Sequence, residues 1–218
     1  MNTVKNYWDK RYEAGKLWGD QPCPSVALAL PFLVVNGAGS ILVPGCGYGR
    51  NSRAFAERGF HVLGTDVSSE ALRQATADKP EVMEQLRYER MDIRGMAAGE
   101  SFDAVFLSNV LHLFLEKDRK KVLTACDKHL HKGGLLLFTC LSTADKKNYG
   151  TGVEVEPHTF HHNGKTLRFY DKRAVMDELP DGYTLLECRE HIQTKMDPSG
   201  QREDLVLWFV AARKKGAE

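Results

Sequence analysis

From residue 41 to residue 141 the chain alternates short apolar runs with stretches at helical spacing, and this constrains the fold more than any other feature. Residues 41–43, 60–64, 86–91, 102–107 and 135–141 read as buried strands. Residues 52–58, 69–77 and 116–131 read as helices between them, the first closed by Gly59 and the last by Lys132-Gly133-Gly134. Strands joined by such crossovers are parallel and right-handed, which predicts a doubly wound α/β sheet. The end of the chain breaks the rhythm. Residues 183–194 and 205–212 read as two strands joined at Asp197-Pro198-Ser199-Gly200, with no helix between them. The expectation is a Rossmann-like seven-stranded sheet, mostly parallel, with an antiparallel C-terminal hairpin strand.

A length of 218 residues suits one domain. Its expected parts are an N-terminal helical lid (1–38), a cofactor-binding half (39–142), a substrate-side insertion (143–171) and a C-terminal helix and hairpin (172–218). Lys and Arg number 30 against 29 Asp and Glu, so no overall field draws the chain to nucleic acid or to a membrane. The five cysteines are odd in number and scattered without a C-x-x-C pair, which argues against a disulfide framework or zinc ribbon and fits a reducing cytoplasm. No apolar run approaches the roughly 18 residues of a membrane span. A cytoplasmic monomer or homodimer is expected.

The first strand runs into ILVPGCGYGRNS, with glycines at 45, 47 and 49 and a helix directly behind them. Such a turn brings backbone amides close to a ligand at a helix N-terminus, although a plain tight turn has the same look. A dinucleotide fingerprint needs a sixth-place glycine where this chain has Arg50, and no G-x-x-x-x-G-K-S/T phosphate loop exists. Asp66 closes the second strand, where a carboxylate accepts from ribose hydroxyls. Asp92 follows the third, where one accepts from an adenine amino group. Each alone reads as a helix cap or solvated loop. Together, in register with the turn, they point to an adenosine cofactor without a pyrophosphate, S-adenosylmethionine.

The runs ILVPGCGYGRN, LGTDVS, RMDI, FDAVFLSNVLHLF and HKGGLLLFT, in that order, resemble class I S-adenosylmethionine-dependent methyltransferases. The flanks, with Trp8-Asp9-Lys10-Arg11-Tyr12, Trp18-Gly19-Asp20 and the Gly49-Arg50-Asn51-Ser52 stretch, are similar to the tellurite-resistance (TehB-type) and the thiopurine and thiol S-methyltransferase group. One departure is Val43, which stands where the family commonly has an acid two places before the first glycine. The resemblance implies cofactor contacts at Trp8, Tyr12, Trp18, Gly45, Cys46, Gly47, Gly49, Arg50, Asn51, Asp66, Val67, Ser68, Asp92, Ile93 and Asn109. It implies catalytic roles for His112, Arg202 and Tyr12. His112 is expected to face the site, and Cys46 to pack beneath the helix.

The implied reaction is methyl transfer to a small soft nucleophile, a thiol or a selenium or tellurium oxyanion, leaving S-adenosylhomocysteine. Direct displacement needs alignment and exclusion of water more than acid–base help. A thiol needs little deprotonation, and the sequence offers no evident acid–base dyad. Residues 144–170 are long for a connection and belong to the substrate side. Their His158, His161 and His162 lack a carboxylate or cysteine to complete a metal set, so a hairpin flap is expected and no metal. The alternatives are an O- or N-methyltransferase of a small metabolite and a non-catalytic regulator that binds the cofactor.

Overall fold

The computed structural model describes residues 3–16, 18–80, 83–96, 99–196 and 202–216. Two helices open the chain, α1 (Thr3–Glu13) and α2 (Pro24–Val35). The alternating region then runs β1 (Ser40–Pro44), α3 (Arg50–Ala56), β2 (His61–Asp66), α4 (Ser69–Ala77), β3 (Leu86–Arg90), β4 (Phe102–Leu107), α5 (Glu116–Lys128) and β5 (Leu130–Ser142). The remainder is β6 (Val153–Glu156), β7 (Thr159–His162), β8 (Lys165–Tyr170), α6 (Lys172–Glu178), β9 (Tyr183–Met196) and β10 (Arg202–Lys214).

Strands β3-β2-β1-β4-β5 are parallel neighbours in that order, and β10 then β9 continue the sheet antiparallel beyond β5. This is the predicted seven-stranded architecture. Alternate strand residues feed two cores. Ile41, Val43, Ala104, Phe106, Leu135 and Leu137 pack with α2 and α3, whereas Leu42, Val105, Leu107, Leu136 and Phe138 pack with α5 and α6. Burial on both faces explains why these strands read as continuous apolar runs.

Several boundaries moved. Helix α3 begins at Arg50 rather than 52 because left-handed Gly49 (φ 79°) caps it. Helix α5 stops at Lys128, and Lys132-Gly133-Gly134, expected to end it, already belongs to β5. A Cβ at Gly134 would lie 2.9 Å from the His131 carbonyl oxygen, so glycine there serves the strand's irregular start. In the terminal hairpin β9 begins at Tyr183 as expected but runs on to Met196, β10 is longer than expected at both its ends, and the expected 197–200 turn lies outside the described residues.

The insertion folds as an antiparallel meander, β6-β7-β8. Its last strand rejoins the main sheet, with Leu141 opposite Phe169 and Ser142 opposite Tyr170, in parallel. At Leu141 one edge of β5 is already taken by Leu207 of β10. A strand has two edges, so β8 must occupy the other, the lane that β4 fills as far as the Leu107–Phe138 pair. The flap is therefore rooted in the lane that β4 vacates.

Candidate active site

At the C-terminal ends of β1 to β4 opens a cavity of about 560 Å³. It lies where the strand order reverses between β1 and β4, the position at which open α/β sheets bind ligands. The turn from β1 to α3 lines it through Gly45, Cys46, Gly47 and Tyr48, whereas Gly49, an expected cofactor contact, lies outside the lining. Gly45, Gly47 and Gly49 all have left-handed backbones (φ 65°, 56° and 79°). A Cβ would meet Val110 Cγ2 at 2.6 Å, Tyr12 Oη at 2.7 Å and Tyr88 Oη at 2.1 Å, respectively. Both conformation and space thus demand glycine at each position.

Asp66 braces this turn from behind. Its Oδ2 accepts from Gly47 N and its Oδ1 from Ser68 N, both at 2.9 Å. Burial raises its pKa from the ordinary carboxylate range, while these amide hydrogen bonds oppose the rise. Each oxygen keeps a lone pair for a further donor, and the residue lines the cavity. Val67 and buried Ile93 line it too. Asp92 also lines it, gripped by Arg94 through Nε (2.9 Å) and Nη2 (2.6 Å), which holds its carboxyl below the usual range. Arg94 further reaches Asp118 Oδ2 at 3.0 Å and sits 5.7 Å over the Phe114 ring. Arg94, Asp118 and Phe114 escaped the sequence reading. Only the i, i+2 spacing of Asp92 and Arg94 hinted at the pair.

Asn109 lines the cavity in a left-handed conformation (φ 60°) at the end of β4. Its amide donates to Thr139 Oγ1 at 2.9 Å and its Nδ2 to Gln193 Oε1 at 3.1 Å, fixing it against β5 and β9. From the lid, Trp8, Tyr12 and Trp18 reach the cavity and cluster with Tyr48, which the sequence reading passed over inside GCGYG. Trp18 stacks on Tyr48 with centroids 6.3 Å apart. Burial pushes the Tyr12 phenol well above its ordinary pKa, so it stays protonated. The Cys46 thiol lines the cavity and is likewise pushed up by burial, which rules out a ready thiolate.

Several expected roles change. Arg50 and Asn51 line the cavity, yet their polar atoms hold the loop 18–23. Arg50 donates to the carbonyls of Trp18 and of Gln21 (3.0 Å) and to Cys23 Sγ, and Asn51 Oδ1 accepts from Cys23 N at 2.8 Å. Ser68 does not line the cavity. It caps α4 by accepting from Ala71 N and donates to Asp9 Oδ1 of the lid at 2.7 Å. His112, expected to face the site, lies on the turn Leu111–Leu113 with its ring buried outside the lining and Nδ1 unpartnered among the described residues. Burial, helped by the Lys165 charge, lowers its pKa to about 3. Its neighbours Leu113 and Phe114 take the cavity positions. Arg202 is exposed on β10, bonded to Thr194 Oγ1 (3.2 Å) and paired with Asp204 (3.5 Å), away from the lining. Of the three expected catalytic residues, the fold brings only Tyr12 to the cavity.

The far side belongs to the flap, through His161, Gly164, Lys165 and Thr166, with Tyr7 of α1 opposite. His158 stacks on Tyr149 and bonds its hydroxyl at 2.6 Å, and His162 bonds Asn163, so the three histidines do not converge. Among the described residues no group of three His, Cys, Asp or Glu side chains could hold a metal, and no helix is long and apolar enough to cross a membrane.

Residues 42–138 match the family described as a methyltransferase domain. The chain is 32% identical over 172 residues to the ubiquinone biosynthesis O-methyltransferase of Idiomarina loihiensis, covering 72% of this chain and 70% of that one. It is 30% identical over 181 residues to a protein named probable thiol methyltransferase 2 in Arabidopsis thaliana, covering 80% and 78%. The solved structure of TehB from Haemophilus influenzae shares the fold, with a TM-score of 0.66 and 20% identity over 97% of this chain and 67% of that one. The chain belongs to the S-adenosylmethionine-dependent methyltransferases. Its residues fit that cofactor: a glycine turn lining the cavity at the strand ends, and a buried carboxylate with lone pairs to spare beside it.

Proposed function

We propose that the enzyme methylates a small, soft nucleophile, a thiol or a chalcogen oxyanion. The observation that carries this reading is that every carboxylate lining the cavity already holds a protein donor and stands apart from any histidine that could make it a base. Asp66 binds backbone amides, and Asp92 and Asp118 share Arg94. No carboxylate–histidine pair forms among the described lining residues, so nothing resembles the general base that an alcohol would need. A thiol, with an ordinary pKa near 8.5, ionises in part without one. Bound above the glycine turn, S-adenosylmethionine supplies an electrophilic methyl group. The residues around it do the rest. Asp66 and Asp92 orient the adenosine end, the Trp8–Tyr12–Trp18–Tyr48 cluster excludes water, and Leu113 and Phe114 give the acceptor an apolar floor.

The relative named an O-methyltransferase favours a second reading, a phenolic oxygen acceptor, with His161 at the rim as the nearest base. Initial rates with thiols, selenite, tellurite and phenols, followed by S-adenosylhomocysteine release, separate the two. Turnover of thiols or chalcogen oxyanions ahead of phenols supports the first reading, and turnover of phenols alone overturns it.

A further inference from the structure

The flap reaches the cavity at one end and is rooted at the other, and strand register fixes which is which. His161 opposes Val153 and Thr166, whereas Glu156 opposes Thr159 and Thr159 opposes Arg168. The next two residues of β8, Phe169 and Tyr170, pair with β5. His161, Gly164 and Thr166, which line the cavity, therefore lie toward the free end, and Glu156 lies at the base.

At that base the Glu156 carboxylate leaves its own hairpin and binds α5. Its two oxygens accept from Glu116 N, the first amide of the helix, at 3.3 and 3.0 Å. Leu115, the N-cap of α5, has no side-chain oxygen to offer, so the flap supplies the cap. Glu156 Oε2 also stands 3.6 Å from Nη1 of Arg119, a buried side chain. The same Nη1 donates to the Phe114 carbonyl at 3.0 Å, and Nε reaches Glu178 Oε2 at 3.1 Å. One guanidinium thus holds both the flap's carboxylate and the backbone of Phe114, which lines the cavity. Helix α5 is tied to the cofactor side by a different pair, Arg94 Nη1 to Asp118 Oδ2 at 3.0 Å, in which Glu156 takes no part.

We propose that Glu156 is a positioning residue for methyl transfer. Held between Glu116 N and Arg119, it sets the angle of the flap over the acceptor side of the cavity, and so governs acceptor affinity while leaving cofactor affinity alone. A flap that spends only a fraction of its time in that position lowers the apparent affinity by the same fraction. This rests on the reading of the flap as the acceptor's side and is independent of which atom is methylated.

The test uses the full chain, with benzenethiol as acceptor and catechol as its oxygen counterpart. Glu156→Ala should raise the acceptor KM about tenfold, the worth of one charge-assisted hydrogen bond, with the KM for S-adenosylmethionine unchanged. Glu156→Gln keeps an oxygen for the Glu116 amide but loses the charge facing Arg119, and should raise the acceptor KM about threefold. Amide hydrogen exchange of the chain loaded with S-adenosylhomocysteine needs no acceptor. In both variants it should quicken across β6 and β7 and stay unchanged across β1 to β3. S-adenosylhomocysteine titration checks that each variant remains folded. Exchange that quickens in α5 alone would make Glu156 a helix cap and nothing more, and overturns the proposal. So does an acceptor KM that stays at the wild-type value, or a cofactor KM that rises in step with it. Wild-type turnover of catechol but not benzenethiol would remove the soft-acceptor reading, and the Glu156 effect, read on catechol, would still stand. Benzenethiol turnover indifferent to Glu156 would do the reverse.

Discussion

On the wall made by β1, β2 and β3, polar groups are bonded to one another before any ligand arrives. Asp66 holds two backbone amides, and Asp92 holds Arg94. On the wall made by α1 and the flap, the Tyr7 hydroxyl has no hydrogen-bond partner among the described residues and His161 is exposed. The first wall is preorganised for one invariable guest, and preorganisation removes the cost of ordering at binding. The second meets at Gly164 and the Tyr7 ring, a packing contact between lid and flap.

The contrast breaks most severely at Asp66. Asp66→Ala would leave the Gly47 and Ser68 amides buried without an acceptor, at about 1–3 kcal/mol each. Calorimetry should then detect no S-adenosylhomocysteine binding, and retained affinity would show that the turn stands without its brace. Next comes pH. His112, held near pKa 3 against an ordinary 6.5, contributes stability that is present above about 6.5 and lost as pH falls toward 3. Denaturant unfolding should register a loss of about 2 kcal/mol from this group between pH 7.5 and pH 5, by 1.36 kcal/mol per unit. His112→Leu should flatten that slope and leave acceptor selectivity alone, because the ring does not line the cavity. A selectivity change would move His112 into the acceptor wall.

Smaller effects sharpen the comparison. Arg50→Met frees the loop 18–23 from three hydrogen bonds, and at about 1 kcal/mol net each it should raise the KM for S-adenosylmethionine tenfold or more with kcat less affected. An equal fall in kcat would mean that the guanidinium acts on the reaction itself. Ser68→Ala removes a helix cap and the Asp9 tether, for about 1 kcal/mol in thermal unfolding. If its main effect were instead on cofactor affinity, Ser68 would belong to the cofactor wall after all.

The same division explains what the sequence made legible. The glycine turn and Asp66 could be read because each is a local demand, a backbone angle or a strand end, written at the residue that meets it. The acceptor wall could not. Tyr7 and Gly164 stand far apart in the sequence and become neighbours only because the flap meets the lid. His112 and Arg202 misled for the same reason. A resemblance of motif placed them near the site, but side-chain direction is set by the short turn Leu111–Leu113 in one case and by hairpin geometry in the other. Arg50 and Asn51 sat in the expected motif and found partners in the lid loop, a contact no local pattern encodes.

Strand β5 has one further property. Its Phe138 faces the last paired residue of β4, and its Leu141 faces Phe169 of the flap in that same lane. Three residues of strand span about 10 Å. Over that length the lane is empty of strand, and there Asn109, Val110 and Leu113 line the cavity. The cavity thus borders a gap left in a sheet, and β5 is the ruler that sets how far beyond β4 the flap begins. Removing two residues from β5 between 138 and 141 would keep every side chain on its face and bring the two walls together by about 7 Å. The size of acceptor that such an enzyme can take is, to that extent, a count of residues.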